Sequence, residues 1–209
     1  MLENTNDVQQ PDRRAARRAA TKAEIVDAAW ALVRDQGLAA LSLRELAARV
    51  GMRAPSLYQY FPSKHAIYDA MFKEASEAAL AADPLGLVEG DFEHALHRGA
   101  RDFFDFAVSD PARAQLLFQR TIPGFEPSPE AYAPAVAMVE RLRAAFVAHG
   151  ITDADAVDLW TALVSGLINQ QLANDPGGDR WARLIDRVVD MFLSTMQPER
   201  KKGDGNENR

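Results

Sequence analysis

The chain has 209 residues, 47% of them hydrophobic, enough for one or two packed domains and unlike a fibrous or disordered polymer. It contains no cysteine, so a disulfide framework, a thiolate metal site and a cysteine nucleophile are excluded. The formal net charge of −6 argues against polyanion binding until it is divided along the chain, because residues 13–64 hold ten Lys and Arg against four Asp and Glu.

Residues 1–12 are polar and lack the apolar segment of a secretory signal, and no run approaches the ~18 apolar residues of a membrane span. A cytoplasmic chain without a membrane partner is expected. Residues 1–20 are expected as a flexible basic arm carrying Arg13-Arg14-Ala15-Ala16-Arg17-Arg18. Two readings of this run stand, a limb that touches a polyanion and a solvated extension of the first helix.

Lys22 to Gln36 places Ile25, Ala28, Ala29, Leu32 and Val33 on one face and stops at Gly37, which predicts the first helix. Ser42 is an N-cap residue with Glu45 as its capping-box partner, and Leu43, Leu46, Ala47 and Val50 recur at helical spacing. Gly51 suits a left-handed C-terminal position, and Pro55 suits the first turn of a third helix, roughly 54–60. That helix is too short and polar to stand alone, since isolated helices below about a dozen residues are marginal in water. Leu57 and Phe61 supply its buried edge, leaving Arg53, Ala54, Pro55, Ser56, Tyr58, Gln59 and Tyr60 partly or wholly free.

A helix, a short turn and a second helix with a free polar face form a helix-turn-helix. Tyrosine hydroxyls donate to phosphate oxygens, and an arginine fork pairs with the major-groove edge of guanine. The alternative for Tyr58 and Tyr60 is a ring in the core with its hydroxyl satisfied locally. Ser63 then caps the next helix, whose positive end with Lys64 can hold a phosphate.

On these residues, with Ile25-Val26-Asp27-Ala28-Ala29 before the motif, Tyr58-Gln59-Tyr60-Phe61 within it and Ala66-Ile67-Tyr68 after it, residues 21–72 resemble the TetR (tetracycline repressor) family of bacterial transcription regulators. The resemblance implies that Ser42 and Arg44 touch the DNA backbone or nearby bases. It also implies that Arg53, Ala54 and Pro55 face bases, and that Tyr58, Tyr60 and Lys64 bind phosphates. Gln59 fills a position that varies among members.

From Lys64, Ile67, Met71, Phe72, Ala75 and Ala79 predict a longer helix that ends at Asp83-Pro84. Phe92, Leu96, Gly99, Phe103 and Phe106 form a helical stripe stopped by Asp110-Pro111, and Ala112 to Phe118 is a short helix. Residues 121–134 contain four prolines and are read as a loop, with a helix from Ala135 to His149 after it. Two more helices are expected, about 153–173 and 178–196. No alternating strand pattern occurs, so the chain is all-α with about nine helices. The N-terminal three-helix DNA-binding head takes residues 21–64, the C-terminal helical ligand-binding and dimerisation bundle 65–197, and a disordered tail 198–209.

The last two helices are apolar over more than one face, with Leu163, Gly166 and Leu167 in one and Ile185, Val188, Val189 and Phe192 in the other. One reading pairs them with a second copy in a two-fold four-helix interface, and the other buries them within one chain. The resemblance favours the homodimer. Phe103, Phe104, Phe106, Phe118, Met138, Trp160 and Val164, with polar Asn169, are able to line an apolar ligand pocket or simply to form core. The resemblance implies a small apolar or amphipathic effector and double-stranded DNA carrying a palindromic operator as partners, with the protein most often a repressor.

The rival is a helical enzyme or protein-binding adaptor. His94 and His97, with Glu93 or Asp102, are spaced to share a metal, but two histidines on a charged surface helix are usually solvated. No Gly-x-Ser-x-Gly elbow, phosphate loop or dinucleotide fingerprint is present. No catalytic residue, metal or cofactor is therefore expected.

Overall fold

The computed structural model describes residues 13–82 and 91–196, which form nine α-helices and two single-turn 3-10 segments with no strand. The described part of the expected arm, residues 13–20, is helix, because α1 (Arg13–Gln36) starts at Arg13 rather than at Lys22. Nothing between those residues breaks a helix: the segment has neither Gly nor Pro and is rich in alanine. Residues 1–12 and the tail expected at 198–209 lie outside the described residues. No described helix is long and apolar enough to cross a membrane.

The described residues fall into two compact units, one up to Met71 together with 121–126, the other formed by 72–120 and the residues from Pro127 on. In the first, α1 buries Ile25, Val26, Ala29, Trp30, Leu32 and Val33 and ends at Gly37, whose φ of 86° favours glycine. A 3-10 turn (Leu38–Ala40) leads to α2 (Leu43–Arg49), where the Ser42 hydroxyl accepts the Glu45 N–H at 3.5 Å. The capping box is only half formed. The Glu45 carboxylate accepts from the Gln36 side-chain amide at 2.8 Å.

Gly51, at φ 67°, turns the chain toward α3 (Ala54–Leu57), a single turn with Pro55 in its first positions. Hydrogen-bonded turns carry it on, with Tyr60 N–H and Phe61 N–H donating to the Leu57 carbonyl at 2.9 Å each. The Ser63 hydroxyl then caps α4 (Lys64–Ala81) by accepting the Ala66 N–H at 3.1 Å. Tyr68 of α4 is wholly buried, and its hydroxyl donates to the Leu38 carbonyl. Burial pushes its pKa up to about 12, which keeps it a donor at neutral pH. Phe125 joins this unit, with ring centroids 5.8 Å from Tyr68 and 5.9 Å from His65.

The second unit holds the rest of α4 with α5 (Phe92–Val108), α6 (Pro111–Phe118), α7 (Pro129–Ala148), α8 (Ala156–Asn174) and α9 (Ile185–Met196). The expected loop 121–134 is too long. Ser128 caps α7 by accepting the Ala131 N–H at 3.2 Å, Pro129 occupies the first turn, and Pro134 is carried inside the helix. Proline at the start of a helix loses no bond, and here it reinforces the cap. Around Phe146 the core gathers Phe192, Trp160 and Phe92, with centroids at 5.3, 6.2 and 6.2 Å.

Gln171 is the buried polar hinge pin of this unit, 2% exposed. Its side-chain amide donates to the carbonyls of Asp175 and Gly178, the latter at 3.1 Å, and its oxygen accepts the Trp181 N–H at 2.9 Å. These bonds fix the turn between α8 and the 3-10 segment Ala182–Leu184 before α9. Gln171→Ala would strip partners from several backbone groups at once, at about 1–3 kcal/mol for each buried group left unsatisfied. Urea unfolding should show a lower midpoint at unchanged slope; an unchanged midpoint would mean that water replaces the amide without loss.

Candidate nucleic-acid interface

The helix-turn-helix of α2 and α3 separates cleanly into a buried back and an open front. Leu46, Ala47, Leu57 and Phe61 close the back. On the front, Arg44, Arg53 and Pro55 are exposed and Tyr58 is 54% exposed, while Ser42, Ala54, Tyr60 and Lys64 are half-buried. Arg53 is also the residue preceding α3, in extended backbone. The fold therefore brings all eight residues expected at the DNA to one unit, and neither Tyr58 nor Tyr60 is a core ring.

Besides Ser42, which caps α2, two of the eight already have partners. The Lys64 ammonium lies 3.4 Å from the Ala39 carbonyl and 5.6 Å from the Tyr68 ring centre, so it braces the turn before α2. The Tyr60 ring is covered by the Arg18 guanidinium at 5.1 Å. That guanidinium also donates to the Gln59 carbonyl, and Lys22 lies 5.3 Å over the Phe61 ring. Arg18 and Lys22 thus tie α1 to the end of the recognition segment, a role not foreseen from sequence. Their i, i+4 spacing, in a stretch with no helix breaker, was the available signal.

In the second unit a cavity of about 120 Å³ opens between α5, α6, α7 and α8. Phe103, Phe118, Met138, Trp160 and Val164 line it, as do Gly99, Leu142, Thr161 and Ser165, which were not expected there. Three expected members are elsewhere. Phe104 points into the core at 2% exposure, Phe106 lies under the Arg113 guanidinium at 4.1 Å, and Asn169 accepts a hydrogen bond from Gln119 at 2.9 Å. Phe103 and Phe104 are successive on α5, so they cannot share a face.

The expected dimer surface needs a similar correction. Leu167, Ile185, Val189 and Phe192 are buried in this chain's own core and cannot also meet a second copy. The outward edge is one step round each helix: Leu159 on α8 and Met191 on α9 are exposed, flanked by half-buried Leu163, Gly166 and Val188, of which Leu163 and Val188 also pack against the core. Leu159 and Met191 are 38% and 56% exposed, and beside Gly166 an added methyl would meet nothing within 4 Å.

His97 finds its partners on α9 rather than along α5. Its Nε2 lies 3.0 Å from Asp190 and its Nδ1 3.3 Å from Asp186, which also accepts from Arg101 at 2.9 Å. Burial would raise the Asp186 carboxyl, but the Arg101 and His97 hydrogen bonds hold it below the usual carboxylate range. Glu93, His97 and Asp190 have ligand atoms within 4.8 Å of one another, whereas His94 and Asp102 do not join that group. The geometry is that of a half-exposed ion-pair network pinning α5 to α9.

Residues 25–71 match the family model described as "Bacterial regulatory proteins, tetR family". The HTH-type transcriptional regulator Rv1816 of Mycobacterium tuberculosis is 28% identical over 137 residues, 64% of this chain and 58% of that protein, so the match spans less than two thirds of the relative. The fold is shared with the crystal structure of regulatory protein SCO4313, at TM-score 0.69, 24% identity and 88% and 99% coverage of the two chains. It is shared also with the transcriptional regulator FadR from Bacillus subtilis in complex with stearoyl-CoA, at TM-score 0.66, 16% identity and 84% and 99% coverage.

Proposed function

We propose, from the premise that this chain belongs to the tetR family of bacterial regulatory proteins, that it is a DNA-binding transcriptional regulator. In this reading it acts as a homodimer, sits as a repressor on a palindromic operator, and leaves when a small ligand enters the body. The observation that carries the reading is the free front of α2 and α3. Arg44, Arg53, Pro55 and Tyr58 are exposed, and the buried core of the head is built from other residues. A basic head on an acidic chain answers the charge objection, because counterion release depends on local charge.

Homodimerisation is supported by the apolar stripe of Leu159, Leu163, Val188 and Met191, which a second copy can cover around Gly166. Two copies place two recognition segments on half-sites of one duplex. Ligand release is supported by the cavity in the body and by the acyl-CoA complex of a protein of the same fold. Linkage requires that such a ligand bind the DNA-free conformation better and that DNA weaken the ligand by the same factor.

Fluorescence anisotropy on a palindromic duplex from the protein's own promoter region tests the docking. Arg44→Ala should weaken binding to every duplex and reduce the slope of log affinity against log salt by about one, as for one lost phosphate contact. Arg53→Ala should instead cost about 1–3 kcal/mol on the cognate duplex and relax preference at one base step. An unchanged salt slope for Arg44→Ala, with preference also intact for Arg53→Ala, would place the DNA on another face.

A further inference from the structure

The chemistry of the body cavity limits what can occupy it. No charged side chain is among its lining residues, and its walls are rings and aliphatic groups, among them Phe103, Phe118, Trp160 and Leu142. An ionised ligand group placed there would lose its water without gaining a counter-charge, which is strongly unfavourable. Size is a second limit. A cavity of about 150 Å³ lined by aliphatic and aromatic side chains takes a single benzene ring, and this one measures about 120 Å³.

The polar edge is more selective. Thr161 and Ser165 stand four apart on α8, so both hydroxyls lie on one side of the cavity, the exposed Thr161 marking its mouth. Each hydroxyl spends its one proton on its own helix: Thr161 Oγ1 donates to the Val157 carbonyl at 2.8 Å, and Ser165 Oγ to the Thr161 carbonyl at 2.6 Å. What each still offers is the lone pair of an acceptor. A ligand carbonyl or carboxylate finds no donor in that pair, whereas a ligand O–H finds an acceptor.

We infer, resting on the reading of this cavity as the effector site, that its ligand is a neutral, single-ring molecule with one hydroxyl donor, a small phenol. The ring fills the space between Phe103, Phe118 and Trp160, and the hydroxyl donates to Thr161 or Ser165 at the mouth.

Calorimetric titration of the full chain with phenol, toluene and benzoate tests this without DNA. Phenol should bind one per chain and benzoate should not bind. Thr161→Val with Ser165→Ala should weaken phenol by about twofold to tenfold, the worth of one neutral hydrogen bond, while toluene keeps or gains affinity. If the double variant does not fold, the two single variants are measured separately, and the larger loss identifies the acceptor. Benzoate binding as tightly as phenol, an unchanged phenol-to-toluene ratio in the variants, or no binding of phenol would each overturn the inference. Phenol binding that leaves DNA affinity untouched would uphold the cavity chemistry and overturn ligand release instead.

Discussion

A Leu159→Glu, Met191→Glu variant is expected to behave as a monomer in sedimentation and to bind a palindromic duplex at least ~100-fold more weakly than the parent. Both side chains are exposed on the outward edge of α8 and α9, Leu159 at 38% and Met191 at 56%, and neither packs into the core, so the substitutions should leave the chain's own core intact. A second copy would have to bury four carboxylates against apolar surface, two from each chain, and an unpaired buried charge costs several kcal/mol. Loss of the dimer turns one bivalent event into two independent ones, which removes an avidity of about 10²–10⁴. Binding to an isolated half-site should hardly change. A dimer that survives both glutamates would move the interface off these helices, and full operator affinity in a proven monomer would remove the need for one.

Phe146→Ala is expected to lower the stability of the body by about 3–5 kcal/mol, the range for emptying a large aromatic from a packed core. Phe146 is 1% exposed and its ring touches those of Phe92, Trp160 and Phe192, so its removal opens a hole among α5, α7, α8 and α9 together. Rings that stay fixed cannot collapse into it. Thermal unfolding should fall by well over 5 °C for a unit of this size. A loss of stability below about 1 kcal/mol would show that the core repacks, contrary to the dense aromatic contacts around Phe146.

The head was legible because its punctuation is local. Ser42, Gly51, Pro55 and Ser63 each act within one turn of the residue they cap or bend, and the structure places each cap or turn within a residue or two of where the pattern set it. Glu45 departed from the pattern because its competitor, Gln36, comes from the preceding helix, and no rule of spacing records that proximity. Of the two readings of the basic run, the extension of the first helix fits residues 13–20. Eight alanines and the absence of Gly or Pro from 13–36 carry that helix back to Arg13, and Arg18 and Lys22 gain contacts on Tyr60 and Phe61.

In the body the elements were legible and their rotation was not. Helical periodicity marks an apolar stripe wider than one contact face on α8 and α9, but it cannot say which edge meets the chain's own core. Ile185, Val189 and Phe192 differ from Val188 and Met191 by about a quarter turn, and that rotation decides interior against surface. Phe104 and Phe106 were assigned to the cavity by residue type, yet only Phe103 of the three sits at the right angle on α5. Thr161 and Ser165 drew no notice because hydroxyls in a helix usually satisfy themselves. They do so here, and that leaves their acceptors to the cavity.

The central claim is that the open front of α2 and α3 reads duplex DNA. Sequencing the genomic fragments retained by the purified full chain at low salt, with no ligand added, tests it most directly. The account predicts a recurrent two-fold symmetric motif whose half-sites lie about 10 base pairs apart or at a multiple of that spacing, lost from the retained pool when Arg44 and Tyr58 are both alanine. Retained fragments indistinguishable from the input, or a motif that persists unchanged in that variant, would contradict it.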